Sequence, residues 1–491
     1  MPLLTPDQTS ALREALVTAS YTVDDCLAAI GEAGQQALER NHTVAADRAL
    51  VGRDDPLATL LRLFVLQQPV RLEVARRALP TEPLLAAGVL AGGSGLVRAT
   101  VDIRPYGADD GTSGWVVSDH AASLDTARGK PVPEQVLGVS PASTTLAQLT
   151  PRRPVGTALD LGTGCGVQVL HLARHTERVI ATDLNPRALL LAELSLGLSE
   201  VSAELRLGSL YEPVPEQVDL VVTNPPFVMS PPGPQRLVYR EGSHPADGLV
   251  REVVVGGAAR LAPGGVLQVL GNWAHVRGVP WQERLESWVA GTGCDAYLVQ
   301  RELLDPYQYI EIWLADAGLA GTSEYRRRYE QWLAYFDQAG IEAVGMGWAT
   351  LRSSGREQPL VRVEDWPHPV QQPVAEALLG TLEAADLAGL SDAELLAGRW
   401  VLDPYVTQET LGYPGAADPS HVVLRQTTGL RRGVEVGTAL GGVLGACDGE
   451  LDLATIIAAV AGICEVEVSG LSAEVLPRLR QLVADLWLTR A

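Results

Sequence analysis

Two apolar stretches of this chain end in residues that could hold a reacting pair. Val218-Asp-Leu-Val-Val-Thr223 reads as a buried strand and runs straight into Asn224-Pro225-Pro226-Phe227. The prolines fix φ at about −65° and carry no N–H, so the Asn224 carboxamide and nearby carbonyls are held rigid with acceptors facing outward. That is a preformed acceptor site for an NH2 group. An amide or exocyclic amine is a poor nucleophile because its lone pair is delocalised into the adjacent π-system. Hydrogen bonds from the amine to the Asn224 oxygen and the Pro225 carbonyl favour a pyramidal nitrogen, and Phe227 is expected to stack on the planar group. The bland alternative is a strand-end turn, for which Asn-Pro is common. Phe occurs only at 64, 227 and 336, which makes its position directly after Asn-Pro-Pro hard to ascribe to composition.

The second stretch, Thr157 to Leu161, leads into Gly162-Thr163-Gly164-Cys165-Gly166. These glycines let the backbone approach a ligand and take positive φ, which is expected to set amide N–H groups and a helix N-terminus beneath it. With Asp160 two residues before the first glycine, the spacing differs from the dinucleotide fingerprint G-x-G-x-x-G. The next strand, Val179 to Asp183, ends in a carboxylate able to accept both hydroxyl protons of a ribose, with Leu184 following. One strand later comes Leu207-Gly-Ser209-Leu210, whose serine hydroxyl is a hydrogen-bonding group at the third strand tip, weaker than an ionised one. The candidate cofactor contacts are therefore Asp160, Gly162, Thr163, Gly164, Gly166, Asp183, Leu184, Ser209, Leu210 and Asn224.

Asp160 to Gly166, Asp183 and Asn224 to Phe227 together resemble the class I S-adenosylmethionine-dependent N-methyltransferases that carry an Asn-Pro-Pro-aromatic motif. The resemblance covers roughly Pro131 to Leu351. Within that group, Glu241-Gly-Ser-His-Pro-Ala-Asp-Gly-Leu249 and Leu261-Ala-Pro-Gly-Gly265 are similar to release-factor glutamine methyltransferases, whereas Phe227 looks more like ribosomal-RNA guanine methyltransferases. It implies an α/β, Rossmann-like seven-stranded domain, S-adenosylmethionine as methyl donor, and Asn224, Pro225, Pro226 and Phe227 as the catalytic set. The expected reaction is methylation of a planar nitrogen on a protein or small-molecule acceptor, with an RNA base as the alternative. A non-catalytic cofactor-binding adaptor is the reading from another class, and the intact tetrapeptide argues against it. Tyr239, Arg240 and His244 follow the catalytic strand and are read either as a lid or as plain surface loop.

The elements that must position these residues alternate as a parallel sheet requires. Strands are expected at Thr157 to Leu161, Arg178 to Asp183, Ala203 to Leu207, Val218 to Thr223 and Gly265 to Gly271, and helices at Val167 to Arg174, Pro186 to Leu198 and Leu249 to Leu261. A helix at Glu324 to Gln338 and a strand at Ala343 to Leu351 could complete the sheet, after which the polar stretch Arg352 to Glu364 loosens the pattern. Residues 1–130 read as helices at Thr9 to Ala29 and Gly34 to Val51, then a winged-helix-like order: helices Leu57 to Leu66, Leu72 to Leu79 and Leu84 to Leu90, then strands Leu96 to Ile103 and Gly114 to Ser118. Arg71, Arg76 and Arg77 would have to reach phosphates if that module bound nucleic acid. The division expected is 1–130, 131–370 for the catalytic domain, and a mainly helical 371–491 with Gly-rich turns at Gly429 to Gly442.

With 491 residues, 46% of them hydrophobic and 20% charged, the chain is globular and too long for one core. A formal charge of −21 opposes adhesion to a polyanion and tilts the acceptor towards protein or small molecule. Cys26, Cys165, Cys294, Cys447 and Cys464 show no C-x-x-C spacing, and His171 with His175 lacks a third ligand, so no metal is expected. No apolar run approaches the roughly 18–20 residues of a membrane span, so a cytoplasmic location is the default. Oligomeric state is not legible.

Overall fold

A mixed eight-stranded sheet dominates the computed structural model, which describes residues 3–120, 124–126, 134–232, 244–415 and 419–491. Its strands are β1 (Val155–Leu161), β2 (Thr176–Asp183), β3 (Glu204–Leu207), β4 (Val218–Thr223), β5 (Leu261–Val276), β6 (Asp295–Leu304), β7 (Ile341–Arg352) and β8 (Val361–Asp365). The spatial order is β8-β6-β7-β5-β4-β1-β2-β3. The run β5-β4-β1-β2-β3 is parallel, and β7 is antiparallel to both β5 and β6. The chain winds outward in both directions from β1, so the tips of β1 and β4 flank the crevice where strand order reverses, which is where such sheets bind ligands.

Helices α1 (Pro141–Leu149), α2 (Val167–Leu172), α3 (Pro186–Leu198), α4 (Gly248–Ala258) and α5 (Trp281–Val289) cover the two faces, while α6 (Pro306–Asp316) and α7 (Tyr325–Ala339) are inserted between β6 and β7. Leu159, Leu161, Ile180, Val221, Leu267 and Val269 point to one face and pack with α4 and α5. Alternate residues Ala158, Leu220, Val222 and Leu270 point to the other, into a cluster shared with the N-terminal helices. β3 and β4 end, and α3 both starts and ends, at the residues the sequence marks, because Asn185 caps α3 ahead of Pro186 and prolines halt β4.

Four expectations change. The sheet has eight strands, not seven, because the polar stretch 352–364 contains part of β8, an edge strand paired in parallel with β6. Its Arg362 and Glu364 are held by Asp485 and Arg432 of the C-terminal region, so polarity there reflects ion pairing, not loop. The expected first two helices are further divided: Pro6–Thr18 stops where Ser20 takes φ of 51°, Thr22 caps Val23–Glu39, which breaks at Gly31 (φ 66°) inside the expected gap between Ala29 and Gly34, and a third helix follows at Val44–Ala49. The strand expected at Leu96 to Ile103 splits after Ala99. Its first half pairs with Leu90–Gly93 and Val70–Arg71, and Asp102–Gly107 instead forms a hairpin with Ser113–Ser118. Lastly, residues 371–491 carry two three-stranded sheets beside the helices that make up the larger part of their regular structure, and Gly441 and Gly442 lie inside the helix Thr438–Gly445, not in a turn.

In the N-terminal part Arg76 pairs with Glu82 at 2.8 Å and Arg71 with Asp54 at 3.5 Å. No helix among the described residues is long and apolar enough to cross a membrane.

Candidate active site

A cavity of about 320 Å³ opens over the tips of β1, β2 and β4. Asp160, Gly162, Thr163, Gly164, Asp183, Leu184, Ser209, Leu210, Asn224, Pro225 and Pro226 all line it. Gly166 stands just behind as the left-handed cap preceding α2, at φ 83°. A Cβ there would come within 3.3 Å of Ala192 Cβ, so this glycine lets α2 lie close against α3. Gly162 and Gly164 have φ of 76° and 56°, and a Cβ on either would meet no atom within 4 Å. Their bareness serves the cavity, not the packing of the protein.

The amides of this turn do not point at the ligand space as the glycine pattern suggests. Gly162 and Thr163 both donate to the Thr182 carbonyl at 2.9 Å, Gly166 donates to the Thr163 carbonyl, and Gly164 donates to Asp183 Oδ2 at 3.0 Å. Gly-rich turns that grip phosphate keep such amides free. Here the amides fix the turn to β2, and the turn contributes room instead of an anion site.

Two carboxylates organise the cradle. Asp160 is 2% exposed and accepts from Thr163 Oγ1 at 2.6 Å. Burial pushes its pKa up to about 7, with the Thr163 hydrogen bond acting against that rise and the charge of Asp183 adding to it. Because the folded-state value lies above the unfolded one, Asp160 favours folding at low pH and withdraws that favour as pH rises through about 7. Asp160→Asn should therefore lose less stability than the parent between pH 5 and pH 8, by on the order of 2 kcal/mol, in denaturant titrations at the two values. Identical pH slopes would remove this account. Asp183 accepts from Gly164 N through Oδ2 and from Asn185 N through Oδ1 at 2.8 Å. Burial raises its pKa too, opposed by those backbone donors, and each oxygen keeps a lone pair for a ligand hydroxyl.

At the β4 tip, Thr223 Oγ1 donates to the Leu161 carbonyl at 2.8 Å and locks the two strand ends together. Beyond it, Asn224 Oδ1 is buried from solvent with no hydrogen-bond partner. An orphaned buried amide oxygen costs about 1–3 kcal/mol and is rare unless a ligand supplies the donor. Phe227 is not among the cavity-lining residues. It lies partly buried between two apolar clusters, edge-on to Trp313 of α6 with ring centroids 6.0 Å apart.

Of the lid candidates, Tyr239 and Arg240 lie outside the described residues. His244 lines the cavity and pairs with Glu252 of α4 at 2.9 Å. His171 is engaged away from the cavity, with Tyr106 Oη at 2.7 Å and Asp110 Oδ2 at 2.9 Å. Sequence reasoning missed the wall formed by Gln135 to Gly138 together with Ser140, Ser143 and Gln168. Its one local signal was Ser140-Pro141, a helix cap that seats α1 over the turn. It also missed Asp247, which accepts from Ala274 N at 2.7 Å and is gripped by both terminal nitrogens of Arg284, tying the start of α4 to β5 and α5.

Residues 137–285 match the methyltransferase small domain, and residues 18–100 match a domain of unknown function (DUF7059). A release factor glutamine methyltransferase from Cereibacter sphaeroides is 36% identical over 28% of this chain and 54% of its own length. A ribosomal RNA small subunit methyltransferase C from Idiomarina loihiensis is 31% identical over 30% of this chain and 40% of its own length. The chain thus spans about half the length of these relatives. Among solved structures, an rRNA methylase from Streptococcus thermophilus aligns with 44% of this chain and 99% of its own at 17% identity, with a TM-score of 0.25. Residues 137–285 thus match a methyltransferase family whose members use S-adenosylmethionine as methyl donor.

Proposed function

We propose that this chain is an S-adenosylmethionine-dependent N-methyltransferase acting on the planar nitrogen of a protein or small-molecule acceptor. The observation that carries the reading is the buried, unpartnered Asn224 Oδ1 at the edge of the same cavity that Gly162 and Gly164 leave open. When bound, the donor supplies an electrophilic methyl group on a sulfonium. Asp183 would hold the ribose hydroxyls, Leu184, Ser209 and Leu210 would hold the base, and Asp160 with Thr163 keeps the glycine turn in shape. Asn224 Oδ1 and the Pro225 carbonyl accept the two N–H bonds of the acceptor amine, so the nitrogen lone pair is freed from its π-system and aimed at the methyl. Pro225 and Pro226 keep that pair of acceptors rigid, and Phe227 supports the acceptor face from its packed position. The methylated nitrogen sheds one proton to water, being far more acidic than the amine it came from, so no strong base is needed and positioning supplies the larger part of the rate.

Residues 1–130 and 371–491 flank the catalytic segment 131–370 in this reading and select the acceptor, with the winged-helix-like order of the first as an adaptor. Methyl-labelled donor incubated with the protein and, separately, with cell protein, RNA and small-molecule fractions tests the assignment. Label is expected in the protein or small-molecule fraction. Label confined to RNA would replace the acceptor, and a protein that binds donor yet labels none of the three would be the adaptor instead.

A further inference from the structure

The wall Gln135 to Gly138 is part of the donor cavity, yet the methyltransferase sheet does not hold it. Its partners lie at the end of the N-terminal hairpin. Asp119 N donates to the Val136 carbonyl at 2.9 Å, and Val136 N returns a bond to Asp119 Oδ2 at 2.8 Å. Gln135 Nε2 donates to the His120 carbonyl at 3.1 Å. A Cβ on Gly138 would sit 2.9 Å from Ser118 Oγ, so the wall and the hairpin end are in van der Waals contact with no room for a side chain.

The same carboxylate reaches the donor cradle. Arg187, in the first turn of α3, grips both oxygens of Asp119, with Nε at 3.0 Å from each. Asn185, the helix cap two residues earlier, uses its N–H and both polar side-chain atoms on this junction. Its N–H goes to Asp183, its Oδ1 accepts from Arg187 N at 3.0 Å, and its Nδ2 donates to the Glu134 carbonyl at 2.8 Å. An unbroken series of contacts therefore runs from the carboxylate beneath the ribose position, through the cap of α3, to Asp119 and the wall. The hairpin itself is fixed to α3, since Trp115 N and Val117 N donate to Ser199 Oγ and Ser195 Oγ at 2.9 and 2.8 Å.

We propose that Asp119 is a positioning residue for donor binding, through which the N-terminal region completes the cofactor site by holding Gln135 to Gly138 against it. The inference rests on the methyltransferase reading above. It means that the donor pocket is built by two regions of the chain, and that anything displacing the hairpin loosens the donor.

The test uses the full chain and S-adenosylhomocysteine as calorimetric probe, so no acceptor is required. Asp119→Ala should weaken binding about tenfold, while Asp119→Asn, which keeps an acceptor for Val136 N, should recover part of the loss. The Val136 amide should exchange with deuterium faster in Asp119→Ala even without probe, while amides of β1 and β4 keep parental protection. That readout separates a displaced wall from general destabilisation. Parental affinity in Asp119→Ala, or a loss accompanied by faster exchange throughout the sheet, overturns the inference. Failure of the parent protein itself to bind the probe would instead overturn the methyltransferase reading.

Discussion

Asn224→Ala is expected to cut methyl transfer by about 100-fold or more while donor affinity shifts less than about threefold. The residue sits where the cavity leaves the glycine turn, and its side-chain oxygen has no partner within the protein. Removing it costs the folded protein no internal hydrogen bond through that atom, so stability should hold or rise slightly. The loss must then appear in the step that needs two acceptors for the amine. Single-turnover rates with saturating donor measure it, beside calorimetry with S-adenosylhomocysteine. Equal rates in variant and parent would leave Asn224 without a catalytic role, whatever the donor does.

Asp183→Asn separates the other half of the site. Hydrogen bonds to a charged acceptor are worth about 1.5–3 kcal/mol, so replacing the carboxylate should weaken donor binding by about 10- to 150-fold. The amide also presents an NH2 group to Gly164 N or Asn185 N, both of which now donate to the carboxylate, and one of those donors loses its partner. Calorimetry should therefore show a large loss, and turnover at saturating donor should recover much of the parental value. A variant with unchanged affinity would mean that the ribose lies elsewhere.

These two residues were legible before any coordinates because their settings are local. A strand, a Pro-Pro stop and an Asn, or a strand ending in Asp ahead of an Asn-Pro cap, are written in consecutive residues. What escaped the sequence depends on pairing at a distance. β5 extends to Val276, well past the apolar run Gly265 to Gly271, because Asn272, Trp273 and His275 are accommodated by Tyr309, Gln300 and Trp281. β8 reads as polar linker until Arg362 and Glu364 meet Asp485 and Arg432. The wall at Gln135 to Gly138 carries no periodicity at all, since its conformation is set by Asp119 and Asn185. The glycine turn was found for a partly wrong reason: its amides were expected to face the ligand, and they are bonded to Thr182, Thr163 and Asp183 instead. Phe227, expected to stack on the acceptor, packs edge-on to Trp313.

The antiparallel β7 has a consequence for how the protein is made. It lies between β5 and β6, so β5 leaves the ribosome with one flank open and must wait for Ile341–Arg352 before that flank is paired. During that interval the nascent chain exposes Val266, Leu267, Val269 and Leu270 along an unprotected strand, the kind of surface that invites aggregation. Slow translation across α6 and α7 would prolong the exposure, and chains truncated ahead of Ile341 should be captured by chaperones or lost as insoluble protein.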